Sequence, residues 1–489
     1  MVFTTHQQCV LVAFQEMIEF ILSILGFVGL LFAVIVIFNL MIIVHEWGHF
    51  LAARWRGLQI DKFQIWFGKP IWKKTINGVQ YGLGTIPMGG FVALPQMAPM
   101  EVIEGSTGEK RELSAITPID KIIVAFAGPL FSFLLAVFFS LIVWGVGKPE
   151  QVIDPVVGWV VPDSPAEKAG FKPGDKILKV NGKETDRFAG MIGSVTTEIV
   201  YSTGDKIDFL IERDGEKLNL QSGFEIEDTT ALERKAFRKV GLAPKRKIQI
   251  GKLLENGPAA RAGLMVDDII THVDGEEVLC HPALHEKIAN ADSSVELTVL
   301  RGAEGNEVVV EVTPLKPIPD EYEEKDLGIG YAAVTNFRTV TVDPITQVTD
   351  AGTMVIRTIG GLFSPRSDVS LSHLSGFVGI GRVYYQLLSL LDPQIGLPMV
   401  LFFSVLLNVN LALLNLLPLP VLDGGHITLA TAELLRGKPV HSKALEYVQA
   451  GFAIMLFAFM FFVTFHDVGD LVRDNKKPPP RVYPTDNGG

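Results

Sequence analysis

The sequence predicts an α-helical polytopic membrane protein: four transmembrane helices, a small membrane-associated β-sheet and two inserted α+β domains. Three observations lead there. Four apolar runs are long enough to cross a bilayer, most of the charge lies in one block between the second and third of them, and that block repeats itself.

The 489 residues are 48% hydrophobic with a mean hydropathy of +0.32, too apolar for an ordinary soluble chain. Phe20 to Val44 contains twenty-five residues without a formal charge, and about 20 suffice to cross a ~30 Å hydrocarbon core as a helix. Ile122–Val146 reads as a second span, Ile395–Leu417 as a third and Tyr447–Phe465 as a shorter fourth. The expected order is then 1–56 with the first helix, 57–120 a β region on the cytoplasmic side, and 121–147 the second helix. Two inserted domains follow at 150–225 and 226–320, an interfacial amphipathic linker at 321–394, the third helix at 395–430, and the fourth helix with its tail at 431–489.

Short loops rich in Lys and Arg stay cytoplasmic. Residues 1–19 have none, whereas the loop after the first span carries Arg54, Arg56, Lys62, Lys69, Lys73, Lys74, Lys110 and Arg111. The N-terminus and the block from Lys148 to Gln394 are therefore expected outside the cytoplasm. Arg473, Lys476, Lys477 and Arg481 in the tail count against that threading. A cleaved signal peptide carries its charge before a shorter apolar region, so the first span is expected to be retained. A net charge of −11 argues against nucleic acid as the main partner. Two cysteines, Cys9 and Cys280, exclude a cysteine framework or a Cys-based metal site.

Within the charged block, "SPAEKAGFKPGDKILKVNGKE" from Ser164 aligns without gaps on "GPAARAGLMVDDIITHVDGEE" from Gly257. Each copy pairs a short helix ending at Gly with an apolar strand running into an Asn-Gly or Asp-Gly turn. Each resembles a PDZ domain of the bacterial type, which implies capture of an extended peptide, often by its C-terminal carboxylate. The grooves are expected between Pro155–Val161 and the helix after Asp186, and between Lys247–Leu254 and Pro282–Ala291.

The first span ends in "VHEWGH". His45 and His49 are four apart, so on a helix their imidazoles share one face and can converge on a metal. Glu46 is offset and can reach a water without being a ligand. Ionisable groups at membrane depth are costly and mark a functional site by default. A catalytic zinc needs a third protein ligand, and Trp55 stands where an extended motif would place a third His. The best candidate is Asp423 in "NLLPLPVLDGGHITLA", just after the third span, with His426 as its rival. Alone, Asp423 also reads as a helix N-cap.

These features together resemble the site-2 protease family, and within it the bacterial regulator-of-sigma-E proteases with tandem PDZ domains. "TIPMGGFVAL", "AFAGPLFSF" and "LSGFVGI" carry the resemblance further; Ser132 and Phe377 stand where the family commonly has Asn and Pro. The resemblance implies zinc-dependent cleavage of transmembrane segments, with His45, His49 and Asp423 as metal ligands and Glu46 as the catalytic residue. It also implies regulated intramembrane proteolysis of previously trimmed membrane proteins at a bacterial inner membrane, such as release of envelope-stress signalling, with the outer domains gating substrate size. Substrate contacts are expected from Asn415, and from Gly89 and Gly90 on a sheet edge around Thr85–Val92. Ala351–Phe363 and Ser375–Leu391 are expected to be interfacial helices. The competing class is a catalytically inactive PDZ scaffold that tethers envelope proteins.

Overall fold

The first apolar run belongs to a helix, α1 (Val2–Arg56), whose apolar stretch Leu22–Arg56 is long enough to cross a membrane. The computed structural model describes residues 2–97, 116–230, 233–318, 324–332, 337–390, 392–438 and 442–474. Lys110, Arg111, Lys476, Lys477 and Arg481, on which part of the threading rests, lie outside the described residues. After α1 come β1 (Lys62–Phe67), β2 (Trp72–Ile76), β3 (Val79–Leu83) and β4 (Ile86–Ala93). They form the expected small sheet, in the order β2-β3-β1-β4, so β4 is an edge. The second span is α2 (Pro118–Val146), started by a capping box between Thr117 and Asp120 with Pro118 in its first turn.

The repeated block then supplies β5 (Val157–Val160), α3 (Pro165–Lys168), β6 (Lys176–Val180), α4 (Val195–Val200), β7 (Ile207–Arg213), β8 (Glu216–Ser222) and β9 (Leu242–Pro244). The second copy runs in the same order through β10 (Ile248–Leu253), α5 (Pro258–Arg261), β11 (Ile269–Val273), α6 (His281–Ala289), β12 (Val295–Arg301), β13 (Asn306–Val312) and β14 (Ile329–Tyr331). The chain continues through α7 (Pro344–Phe363), α8 (Phe377–Leu388), α9 (Pro393–Asn415), α10 (Asp423–Arg436) and α11 (Ser442–Asp474). Among the described residues, four helices are long and apolar enough to cross a membrane: those containing Leu22–Arg56, Pro118–Val146, Pro393–Asn415 and Tyr447–Arg473. These are the four expected spans.

The chain divides into two units. One comprises residues 1–149, 339–355 and 375–468. In it, α2 packs against α1, α9 and α10, and the end of α1, the sheet and α2 share a core of Phe50, Ala53, Phe63, Val92 and Val124. Arg56 in the last turn of α1 pairs with Asp120 at 2.7 Å, and Lys121 with Glu433 of α10 at 2.7 Å. The helix α8 is more than a surface element. Its Tyr384 is fully buried, with its hydroxyl 2.8 Å from Ser404 Oγ of α9, and Phe377 packs on Phe38 of α1 at 5.5 Å between ring centroids.

The other unit comprises 150–338, 356–374 and 469–489. Each repeat has its own apolar core, one built around Ile177, Phe209 and Ile211, the other around Ile270, Leu297 and Val299. One device recurs in both. Arg213 donates through Nε and Nη2 to the two oxygens of Asp175, at 2.6 and 2.7 Å. Arg301 does the same to Asp268, at 2.9 and 2.7 Å. Each guanidinium also reaches the carbonyl of the glycine ending the short helix, Gly170 or Gly263.

The expected grooves need correction. β10 is flanked on both sides, by β11 and by β14. β5 pairs with β9 on one side, and the backbone of residues 155–157 bonds to that of 175–177 on the other. Among the described residues, the edges next to β5 and β10 therefore belong to β9 and β14, three-residue strands too short to register in a hydrophobic pattern. β9 pairs with β5, so Leu242–Pro244, beyond residue 225, is joined to a strand of the first repeat.

Candidate metal centre

The helical spacing of His45 and His49 places both imidazoles toward the start of α10, where Asp423 is the first residue. His45 Nε2 lies 3.2 Å from Asp423 Oδ2, and His49 Nε2 lies 3.3 Å from Asp423 Oδ1. The two Nε2 atoms are 3.3 Å apart. Ligand bonds of about 2.0–2.1 Å at a tetrahedral zinc put neighbouring ligand atoms roughly 3.3–3.4 Å apart. The three side chains thus outline one face of such a coordination sphere.

The remaining ring nitrogens are engaged. His49 Nδ1 sits 2.8 Å from the Val124 carbonyl. A carbonyl only accepts, so Nδ1 carries the proton and Nε2 presents a lone pair. His45 Nδ1 lies 2.9 Å from Ser132 Oγ, and both residues are buried. With His45 Nδ1 donating to Ser132 Oγ, two imidazole lone pairs and a carboxylate face one another, an arrangement that a cation among them would satisfy. Oxygen and nitrogen donors in this number suit a divalent transition metal.

Close helix packing makes this possible. A Cβ at Gly48 would stand 2.4 Å from the Ala127 carbonyl oxygen, and one at Gly128 would stand 2.1 Å from His49 Nε2. Only glycine at these two places lets α1 and α2 approach so closely and leaves the imidazole its space. The small residues of "AFAGPLFSF" are a signal for Gly128, whereas Gly48 has only its place between the two histidines.

Other expected site residues fall as follows. Glu46 lies close enough to His45, His49 and Asp423 to interact with all three, with the backbone of Val92 nearby. Gly90 sits beside it, since a Cβ there would lie 3.6 Å from Glu46 Cγ. The edge strand β4 therefore runs past Glu46. Gly89 has a different reason for being glycine: its φ is +75° and a Cβ would strike the Phe67 ring at 1.9 Å. Asn415 ends α9 with Nδ2 3.4 Å from His45 Nε2. Asp423 is not the N-cap of α10; Leu422 is. The aspartate lies one place inside, its carboxylate turned to the histidines. Among the described residues, the group able to hold a metal is His45, His49 and Asp423, without His426.

The sheet is fixed to α1 by a strained residue. Trp66 has φ +67° at the irregularity in the β1–β4 pairing, and its indole Nε1 donates to Asn39 Oδ1 at 2.5 Å. A bulky residue in the left-handed region is a genuine outlier. Here the conformation delivers the indole to the helix that carries the histidines.

Comparison with known proteins agrees with this geometry. The model of peptidase family M50 matches residues 33–459. The chain is 28% identical over 463 residues to the regulator of sigma E protease of Haemophilus influenzae, covering 91% of this chain and 99% of that protein. It is 28% identical over 465 residues to a putative zinc metalloprotease of Vibrio cholerae, covering 89% and 97%. To the regulator of sigma-E protease RseP of Escherichia coli it is 27% identical over 482 residues, covering 91% and 100%.

Proposed function

The chain belongs to peptidase family M50, and we propose that it is a zinc metalloprotease of a bacterial inner membrane that cleaves transmembrane segments of other membrane proteins. Release of an envelope-stress signal by regulated intramembrane proteolysis is the process this reading assigns to it, in line with the names of its relatives. The observation that carries the proposal is the convergence of His45, His49 and Asp423 at 3.2 to 3.3 Å, with Glu46 beside them.

His45, His49 and Asp423 would hold the zinc, Ser132 and the Val124 carbonyl keeping both rings aimed. Zinc bound there supplies a Lewis acid and an acidified water. Glu46 takes the proton of the attacking water and passes it to the leaving nitrogen, as base and then acid. In this reading Asn415, whose Nδ2 lies 3.4 Å from His45 Nε2, donates a hydrogen bond to the carbonyl oxygen as charge develops on it. A helical substrate hides its peptide bonds in its own hydrogen bonds and must be extended first. The open edge of β4 offers the missing strand partner, and Gly90 leaves room for it next to Glu46.

The two repeats are read as PDZ domains outside the cytoplasm, with peptides adding to the open edges of β9 and β14. Their shared element order and edge strands support this, and the Lys/Arg distribution supports the side. A cysteine placed near Lys183 should react with an impermeant thiol reagent in intact cells while one near Lys73 stays shielded; the reverse would overturn the threading.

Glu46→Gln should retain about one zinc per chain and lose cleavage of a single-span reporter. Full activity would end this mechanism, and loss of zinc would move Glu46 into the ligand set. A wild-type protein that binds no zinc and cleaves nothing would restore the scaffold reading.

A further inference from the structure

The two repeats end alike but are finished differently. In each, a cation stands three residues before the glycine that opens the edge strand: Arg238 before Gly241, and Lys325 before Gly328. Both glycines have positive φ, 88° and 69°. The intervening Val240 and Leu327 are both buried, at 3% and 2% exposure. In the second repeat, Lys325 Nζ donates to the Ala291 carbonyl, just past α6, at 2.5 Å. In the first, Arg238 makes the corresponding contacts past α4, from Nη1 to Gly204 O at 2.8 Å and Ser202 Oγ at 3.2 Å.

Arg238 also has a carboxylate. Its Nε donates to Asp368 Oδ2 at 2.7 Å, and Lys235 Nζ donates to Asp368 Oδ1 at 2.8 Å. Asp368 belongs to residues 356–374, which lie along this end of the first repeat. Arg357 forks onto Glu198 of α4 at 2.7 and 2.8 Å, and Thr358 Oγ1 is 2.7 Å from the Tyr201 hydroxyl. Further on, the Arg366 carbonyl accepts from the Gly204 amide at 3.1 Å. His373 stacks on Phe237 with ring centroids 4.0 Å apart. Arg238 is left only 5% exposed.

A carboxylate held by two cations at the head of an open edge strand, beside the end of a helix, is the arrangement that would hold the terminus of an added peptide. We propose that Arg238 and Lys235 form a site for a peptide's C-terminal carboxylate, and that Asp368 is its resident occupant. The first repeat then accepts a peptide only when residues 356–374 withdraw. This rests on reading the repeats as peptide-binding modules.

The test uses the full chain in detergent and fluorescein-labelled decapeptides with four randomised C-terminal residues, made as free acids and as amides. Asp368→Ala should raise affinity for the acid pool about tenfold, the scale of a charge-assisted hydrogen bond. Asp368→Ala combined with Arg238→Gln should abolish the gain, and the amide pool should show none. Asp368→Asn, which keeps hydrogen-bonding capacity near Arg238, should give a smaller gain and guards against misfolding of the alanine variant. In the unmutated protein, saturating acid peptide should speed amide exchange in 364–374. Unchanged affinity in both Asp368 variants, or an equal gain for the amides, overturns the inference. If binding to acids is then still lost in Lys325→Ala, the peptide-module reading survives without it; if no variant binds acids at all, both fall.

Discussion

Asp423 and Asp268 are both largely withdrawn from solvent, their side chains 18% and 1% exposed, but they are completed in opposite ways. Asp268 receives the planar fork of Arg301 and the Met265 amide, so its charge and both oxygens are answered within the fold. Asp423 faces two imidazoles whose other nitrogens are already engaged. It faces imidazole nitrogens where Asp268 receives guanidinium and amide N–H groups. A buried carboxylate answered by an opposite charge is structural, whereas one set among imidazole nitrogens is a candidate metal ligand.

Exchanging the two roles should fail in different currencies. The largest effect is expected from Asp423→Ala, which removes one of the three proposed ligands. Zinc content after dialysis, measured by mass spectrometry, should drop to background and cleavage with it, while the repeats stay folded. Retained zinc would hand the third position to His426. Asp268→Ala should do the reverse. Losing this carboxylate from the partly exposed Arg301, and the Met265 amide's acceptor with it, should cost about 1–3 kcal/mol, seen as faster amide exchange throughout the second repeat, with zinc content unchanged.

Ser132→Ala tests a smaller contribution, the aiming of His45. Loss of such an outer partner typically weakens metal affinity by about 10–100-fold, which chelator competition would read, and a cobalt-substituted protein should show an altered visible spectrum. An unchanged affinity and spectrum would make the serine a packing residue. The mildest perturbation is acid. Burial by itself would raise the Asp268 carboxyl, but Arg301 and the Met265 amide outweigh it and hold it below its ordinary range. A depressed folded-state pKa gives stability that is present above the unfolded value of ~3.9 and is lost as pH falls through the folded one. Exchange in the second repeat should therefore rise at the acid end, and Asp268→Asn should flatten that rise; an identical acid profile in the variant would show that other groups control it.

Much of this molecule is written locally. The four spans follow from apolar length because lipid leaves the backbone no solution but a helix. The i, i+4 pair His45 and His49 shares a face wherever a helix forms, and the ungapped repeat announces itself in one dimension. The small sheet was legible from its turns at Gly68 and Asn77-Gly78. What the sequence left open are choices between partners far apart along the chain. Asp423 taken alone reads as a cap, and its approach to α1 is what makes it the third member of the cluster. Ser132 carried a question that became an answer once α2 lay against α1 at Gly48 and Gly128. The groove was assigned to β5 and β10 because they are the visible strands, yet β9 and β14 take the open edges. Periodicity records which face of an element is apolar. Which edge or face meets which is decided by packing whole elements together, and three residues of strand carry too little pattern to reveal it.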